Sequence, residues 1–185
     1  FTGDNGTDKP IITPWKGTKV VGGKGSMTDT GTRVPLIVNW PAGIKKPGRV
    51  SDELVEFSDM MPTLCEISGA DLPKNHPADG SSIVPAIQNK KELRKKEWIY
   101  IWYRDQVMVR NKKYSLLAKQ DGSNAKLTRY KGQFNGKELT DQKMNKVERT
   151  IKEEFEGILA KMAKTRLSTA SEEGKAMGLK NKSNR

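Results

Sequence analysis

Bulky apolar residues nearly alternate in "EWIYIWYR" (97–104), the period of a strand whose successive side chains leave opposite faces. "QVMVRNKKYSLLAK" (106–119) reads as two strands around Asn111-Lys112, and "AKLTRY" (125–130) as a fourth, so a small antiparallel sheet is predicted. From about Thr140 the period changes. Met144, Val147, Ile151, Phe155, Ile158, Leu159 and Met162 recur at spacings of three and four, one stripe of a helix. That helix is expected to cover one face of the sheet, with Glu148 and Lys152 as an exposed pair on its outer side.

The first half patterns differently. "RVPLIVNW" (33–40) is a short continuous apolar run with β-branched residues, which predicts a buried strand, and "ELVEF" (53–57) predicts another short one. "SDMMPTLCEISG" (58–69) reads as a helix: Ser58 or Asp59 caps it, Pro62 fits its first turn and Gly69 closes it. Met61, Leu64, Cys65 and Ile67 are its expected inner face. "DGSSIVPAIQNK" suggests a further helical turn. Residues 7–32, rich in Gly, Thr, Lys and Asp without a period, read as a long irregular loop of the kind that often carries function. Residues 168–185 lack a core-forming pattern and are expected to form a flexible basic tail.

Composition narrows the partners. The 185 residues carry a formal net charge of +12, which favours anionic partners: nucleic acid, anionic lipid, or acidic and sulfated polymers. No run approaches the roughly 20 apolar residues of a membrane helix. One cysteine (Cys65) and one histidine (His76) exclude a disulfide framework, a Cys-rich zinc site and any two-histidine mechanism within the chain. His76, in "LPKNHPADG", reads as an ordinary loop residue. Lys90, Lys91, Arg94, Lys95 and Lys96 precede Trp98, Tyr100, Trp102 and Tyr103. Basic groups beside aromatics could form a module that grips single-stranded nucleic acid or another anionic polymer. No oligonucleotide-binding signature accompanies them, and a solvated charged loop followed by a packed strand is the preferred reading.

Two motifs carry chemistry together: "TGDNG" (2–6) and "GGKGSMTDTGTRVP" (22–35), followed by a strand, a "WPAGI" turn and "SDMMPTLCEISGA". This order resembles the C-terminal portion of the type I sulfatases, the arylsulfatase branch of the alkaline-phosphatase-like superfamily. The resemblance covers residues 1 to about 90; the later sheet and helix agree as architecture. By position it makes Asp4 and Asn5 ligands of the family's calcium ion and Lys24 the lysine that contacts the sulfate group. The residue types suit those roles. Calcium takes six to eight hard oxygens, to which a carboxylate and a carboxamide supply two kinds of donor. A lysine in a glycine-flanked loop brings a compact charge close to an oxyanion. The loop also departs from the family. Where relatives commonly have an aromatic, Glu, Gly, Gly and an apolar residue, Thr28, Asp29, Thr30, Gly31 and Thr32 stand here.

The resemblance further implies a formylglycine nucleophile made from Cys or Ser in a C/S-x-P/A-x-R motif. Cys65, in "CEISG", does not fit it and is expected to pack inside its helix. The nucleophile, the catalytic histidines and the remaining acidic calcium ligands are therefore expected upstream, in an N-terminal part that would be this chain's partner. The fragment alone is expected to be inactive. The expected fold class is α/β. Residues 1–96 would be the C-terminal portion of an alkaline-phosphatase-like α/β catalytic domain with a mostly parallel sheet. Residues 97–167 would be a small antiparallel sheet with a long helix, and 168–185 the tail. The implied substrate is a sulfate ester, plausibly an aryl sulfate or a sulfated polysaccharide, and the implied localisation periplasmic or secreted. The alternatives are a phosphomonoester or phosphonate hydrolase of the same superfamily, the basic binding module, and an inactive relative serving as a scaffold.

Overall fold

The computed structural model describes residues 1–74, 79–89, 96–132, 134 and 136–165. His76, the run from Lys90 to Lys95 and the 168–185 tail lie outside them. Lys16 and Gly17 both have positive φ, as a two-residue hairpin turn requires. They join β1 (Ile12–Trp15) to β2 (Thr18–Val21) in an antiparallel pair. The expected irregular loop at 7–32 is thus interrupted by a hairpin. Both strands are almost wholly exposed, so no buried face imposed an alternation on the sequence. A single helical turn, α1 (Asp29–Thr32), follows.

The apolar run at 33–40 does not become a buried strand. It forms one antiparallel bridge, Thr2 with Leu36, and a pair of bonds between Ile37 and Phe1. Ile37 is 60% exposed. A buried strand of this kind needs neighbours on both sides, and the described residues supply one. "ELVEF" likewise stays irregular until a 3-10 turn at Phe57–Asp59.

That turn leads into α2 (Met60–Ser68), which Gly69 closes in the left-handed region at φ 73°. The helix stands where the sequence predicts it, but its faces are reversed. Pro62 and Thr63 are buried, whereas Met61 and Leu64 are exposed, Leu64 by 65%. Cys65 is half-buried, with its Sγ near the Asp71 carbonyl. The side of the helix that is buried is held by polar contacts. Asp59, fully buried, accepts backbone N–H bonds from Glu56 and Ser81 (both 2.9 Å) and a bond from Lys96 Nζ (2.9 Å). Lys96 also pairs with Glu56. Thr63 Oγ1 donates to the Asp59 carbonyl and accepts the Ile83 N–H, which sets α3 (Val84–Gln88) against α2.

Five strands then run antiparallel in chain order: β3 (Ile99–Tyr103), β4 (Gln106–Arg110), β5 (Tyr114–Lys119), β6 (Lys126–Tyr130) and β7 (Gly136–Glu138). The first four match the predicted strands. The register places Val109 opposite Leu116, Val107 opposite Ala118, and Leu116 opposite Leu127. These form one apolar face, and α4 (Lys146–Thr165) covers it with Phe155 and Leu159; Met144 and Leu139 complete the cluster.

One expected pair on α4 is replaced. Glu148 is 2% exposed, not solvated. Its carboxylate accepts from Arg129 Nη1 (2.7 Å) and from the Asn145 N–H (2.9 Å), while Asn145 Oδ1 accepts the Glu148 N–H (3.0 Å). This is a reciprocal capping box. Lys152 pairs instead with Asp141 (2.8 Å), which holds the Asp141 carboxyl below its usual value. Helical spacing alone could not show that position 148 is claimed by the helix start and by a strand arginine. Asn145→Ala removes the cap and is expected to destabilise the protein by about 1 kcal/mol, readable as a shift in the urea midpoint.

Candidate active site

The second face of the sheet carries Met108, Arg110, Ser115, Thr128 and Tyr130, with Ile101 and Tyr103 beside them on β3, as the register and alternation require. The glycine-rich loop at 22–32 lies on this face. Asp29, buried, forms a two-pronged ion pair with Arg110, which is buried too; the longer prong, Nη2 to Oδ2, measures 3.3 Å. The Arg110 guanidinium lies over the Tyr130 ring at 4.6 Å, and the Tyr130 hydroxyl meets Ser115 Oγ at 3.1 Å. Burial pushes the Tyr130 phenol above its ordinary value, so it stays neutral beside the ion pair.

The same loop is bound on its other side to residues 2–7. The Lys24 N–H donates to the Thr7 carbonyl, and the Gly6 N–H to the Gly31 carbonyl, both at 2.9 Å. The two segments approach so closely that a Cβ on Gly6 would fall 1.8 Å from the Thr30 carbonyl oxygen, and the 22–32 loop folds on itself so tightly that one on Gly23 would fall 2.2 Å from Thr30 Oγ1. Glycine is therefore required at both places by contact. Ser26 Oγ donates to the Gly23 carbonyl (2.6 Å), and Ser26, Thr28 and Thr30 form a chain of hydroxyls at 2.8 and 3.1 Å. The threonines that depart from the family pattern thus stiffen the loop that bears Lys24.

Asp4, Asn5 and Lys24 sit on these two adjoining segments. Asn5 Nδ2 donates to Asp4 Oδ2 at 2.6 Å, so one carboxylate oxygen is engaged and the remaining oxygens of the pair have no protein donor among the described residues. Asp4 is exposed and Asn5 half-buried. Lys24 is exposed and has no ion-pair partner among the described residues. A cavity of about 180 Å³ between the hairpin and residues 30–35 is lined by Asn5 but by neither Asp4 nor Lys24, and Trp15 and Phe134 wall it edge to face. The donor types suit a hard cation, but among the described residues no cluster of three or more acidic, histidine or cysteine side chains stands ready to hold a metal. Two oxygen side chains meet a minority of calcium's six to eight positions.

Arg110, Tyr130 and Ser115 went unnoticed in the sequence. The one signal nearby is Asp29, the sole carboxylate in the 22–32 loop. Its partner lies 81 residues away, beyond the reach of any local pattern.

Comparison with known proteins bears on the family and the fold. The family model described as N-sulphoglucosamine sulphohydrolase, C-terminal, matches residues 21–172. An ulvan-active sulfatase of Formosa agariphila is 40% identical over 70 residues, which is 38% of this chain and 14% of that protein. Steryl-sulfatase of Mus musculus is 34% identical over 79 residues, 43% of this chain and 12% of the enzyme. The match therefore takes in only a small part of either relative. The solved structure of a 2-O GAG sulfatase shares the fold with a TM-score of 0.55 at 21% identity, covering 82% of this chain and 35% of the other. Among the described residues no helix is long and apolar enough to cross a membrane.

Proposed function

Since the chain belongs to the N-sulphoglucosamine sulphohydrolase C-terminal family, we propose that it forms the C-terminal part of a sulfatase that hydrolyses sulfate esters of glycans or aryl alcohols. Residues 1–96 belong to the catalytic α/β domain in this reading, and 97–167 to a sheet-and-helix subdomain behind it. The carrying observation is the pair of backbone bonds, Lys24 to Thr7 and Gly6 to Gly31, which fixes the segment of Asp4 and Asn5 beside the loop of Lys24. Lys24 binds the sulfate and neutralises charge that grows on its oxygens as the S–O bond breaks. Its exposure, with no carboxylate partner among the described residues, leaves it available. Asp4 and Asn5 would hold calcium, with ligands from the preceding portion of the protein. When present, calcium supplies positive charge for the sulfate, and a formylglycine in that portion supplies the attacking oxygen.

The same portion would cover the apolar side chains that the described residues leave open: Ile37, Met61 and Leu64 among them. The small share of each relative that the match covers supports this. A periplasmic or secreted location goes with the proposal. Lys24→Ala in the whole protein is expected to lower kcat for 4-nitrophenyl sulfate by roughly 10²–10³ without moving the unfolding midpoint, and the present chain alone to turn over none. A Lys24→Ala enzyme with unchanged kcat would refute the assignment.

A further inference from the structure

The tip of the β3–β4 hairpin stands against the Lys24 loop. A Cβ placed on Gly25 would lie 3.6 Å from the Tyr103 hydroxyl, so the phenol sits over the residue next to Lys24. The following residue, Arg104, lays its guanidinium over the Tyr103 ring at 5.1 Å. No carboxylate among the described residues is within ion-pair distance of it. Arg104 also has φ 56°, a conformation that glycine or asparagine adopts more readily. Its carbonyl is held from two sides, by Trp102 Nε1 at 2.9 Å and by Gln120 Nε2. The two-residue hairpin turn between Tyr103 and Gln106 accounts for that φ, and with the two bonds it fixes where Arg104 stands. The arrangement pre-sets a planar, unpaired, two-pronged donor on a rigid aromatic support next to the loop of the sulfate-binding lysine.

We propose that Arg104, carried on Tyr103, determines specificity by binding a second anionic group, a sulfate or a carboxylate, of the same substrate whose scissile sulfate meets Lys24. A guanidinium fork matches either oxyanion with two parallel bonds. A substrate with anions on neighbouring sugars would be gripped at two points, and one with a lone sulfate at one point only. The net charge of +12 suits such a polyanion. An open depression of about 530 Å³ also borders Arg104, but Asp105 and Asp121 line it together with Lys119, so its charges are mixed and it selects no anion.

The inference rests on the sulfatase reading, and the test separates the two. In the whole protein, a heparin hexasaccharide and inorganic sulfate are compared as inhibitors of 4-nitrophenyl sulfate turnover. Arg104→Gln is expected to raise the hexasaccharide's inhibition constant relative to that of sulfate roughly ten- to a hundredfold, the loss of one charged hydrogen-bonded contact. Arg104→Lys, a point charge without the fork, is expected to restore only part of it. An unchanged ratio of the two constants would overturn the proposal, because a merely structural change moves both together. Should the unsubstituted protein turn over no aryl sulfate, the sulfatase reading suffers, and calorimetric binding of the hexasaccharide to both proteins still decides for or against Arg104.

Discussion

Replacing Asp59 with alanine is expected to destabilise the protein by roughly 3–5 kcal/mol, the cost of breaking a buried ion pair from one side. Asp59 is fully buried and takes bonds from two backbone N–H groups and one ammonium. Alanine leaves the Glu56 and Ser81 N–H groups without that acceptor, in a place where water does not readily replace it. Lys96 keeps Glu56 but loses its second carboxylate. Asp59→Asn retains an oxygen yet turns an amide N–H₂ toward donors, so it is expected to fall between wild type and alanine. Urea unfolding monitored by far-UV circular dichroism gives the comparison. A loss under about 1 kcal/mol for Asp59→Ala would show that the network is solvated, since surface changes have effects of that size.

Arg110→Ala is expected to cost a similar amount, again roughly 3–5 kcal/mol, for a different reason. Here the survivor is the Asp29 carboxylate, buried with no other cation in ion-pair contact among the described residues, and the Tyr130 ring loses the guanidinium it supports. The pair joins the 22–32 loop to the sheet, so its loss also frees the loop that carries Lys24. The double variant Asp29→Leu with Arg110→Met is the informative companion. Buried ion pairs replaced by apolar groups of similar volume are often neutral, so the double variant is expected to recover most of the stability that Arg110→Ala loses. With the single variants Asp29→Leu and Arg110→Met added, the unfolding free energies close a cycle and give the coupling. If the double variant is as unstable as the single one, packing around the arginine stem and not the ion pair holds the loop.

Much of the fold is legible before any coordinates. The strands at 99–130 carry their own signal, because one face of each meets α4 and the alternation records it. The stripe from Met144 to Leu159 predicts α4 for the same reason, although Val147 within it is exposed. Legibility fails where burial and pattern part company. The β1–β2 hairpin buries almost nothing, so only its Lys16-Gly17 turn marks it. The run at 33–40 and the outer face of α2 are apolar without being buried by the described residues. In those segments the sequence is written for neighbours that the described residues do not supply.

The candidate site divides along the same line. Asp4, Asn5 and Lys24 stand out only through the family resemblance that their two motifs carry together; alone, an acid–amide–glycine turn and a lysine between glycines are ordinary loop features. Local spacing determines the strands, the long helix and the Gly69 end of α2, whereas the expected cap at Ser58 or Asp59 is not made, because the Asp59 carboxylate accepts from Glu56, Ser81 and Lys96 instead. Tertiary structure alone decided the rest: Arg110 under Asp29 and Tyr103 over Gly25 beside the site, and Asp59 as the hub of a separate buried network. Each of these joins residues far apart in the chain through one charge or one ring. A single long-range contact leaves no period, so it exists only once the chain has folded.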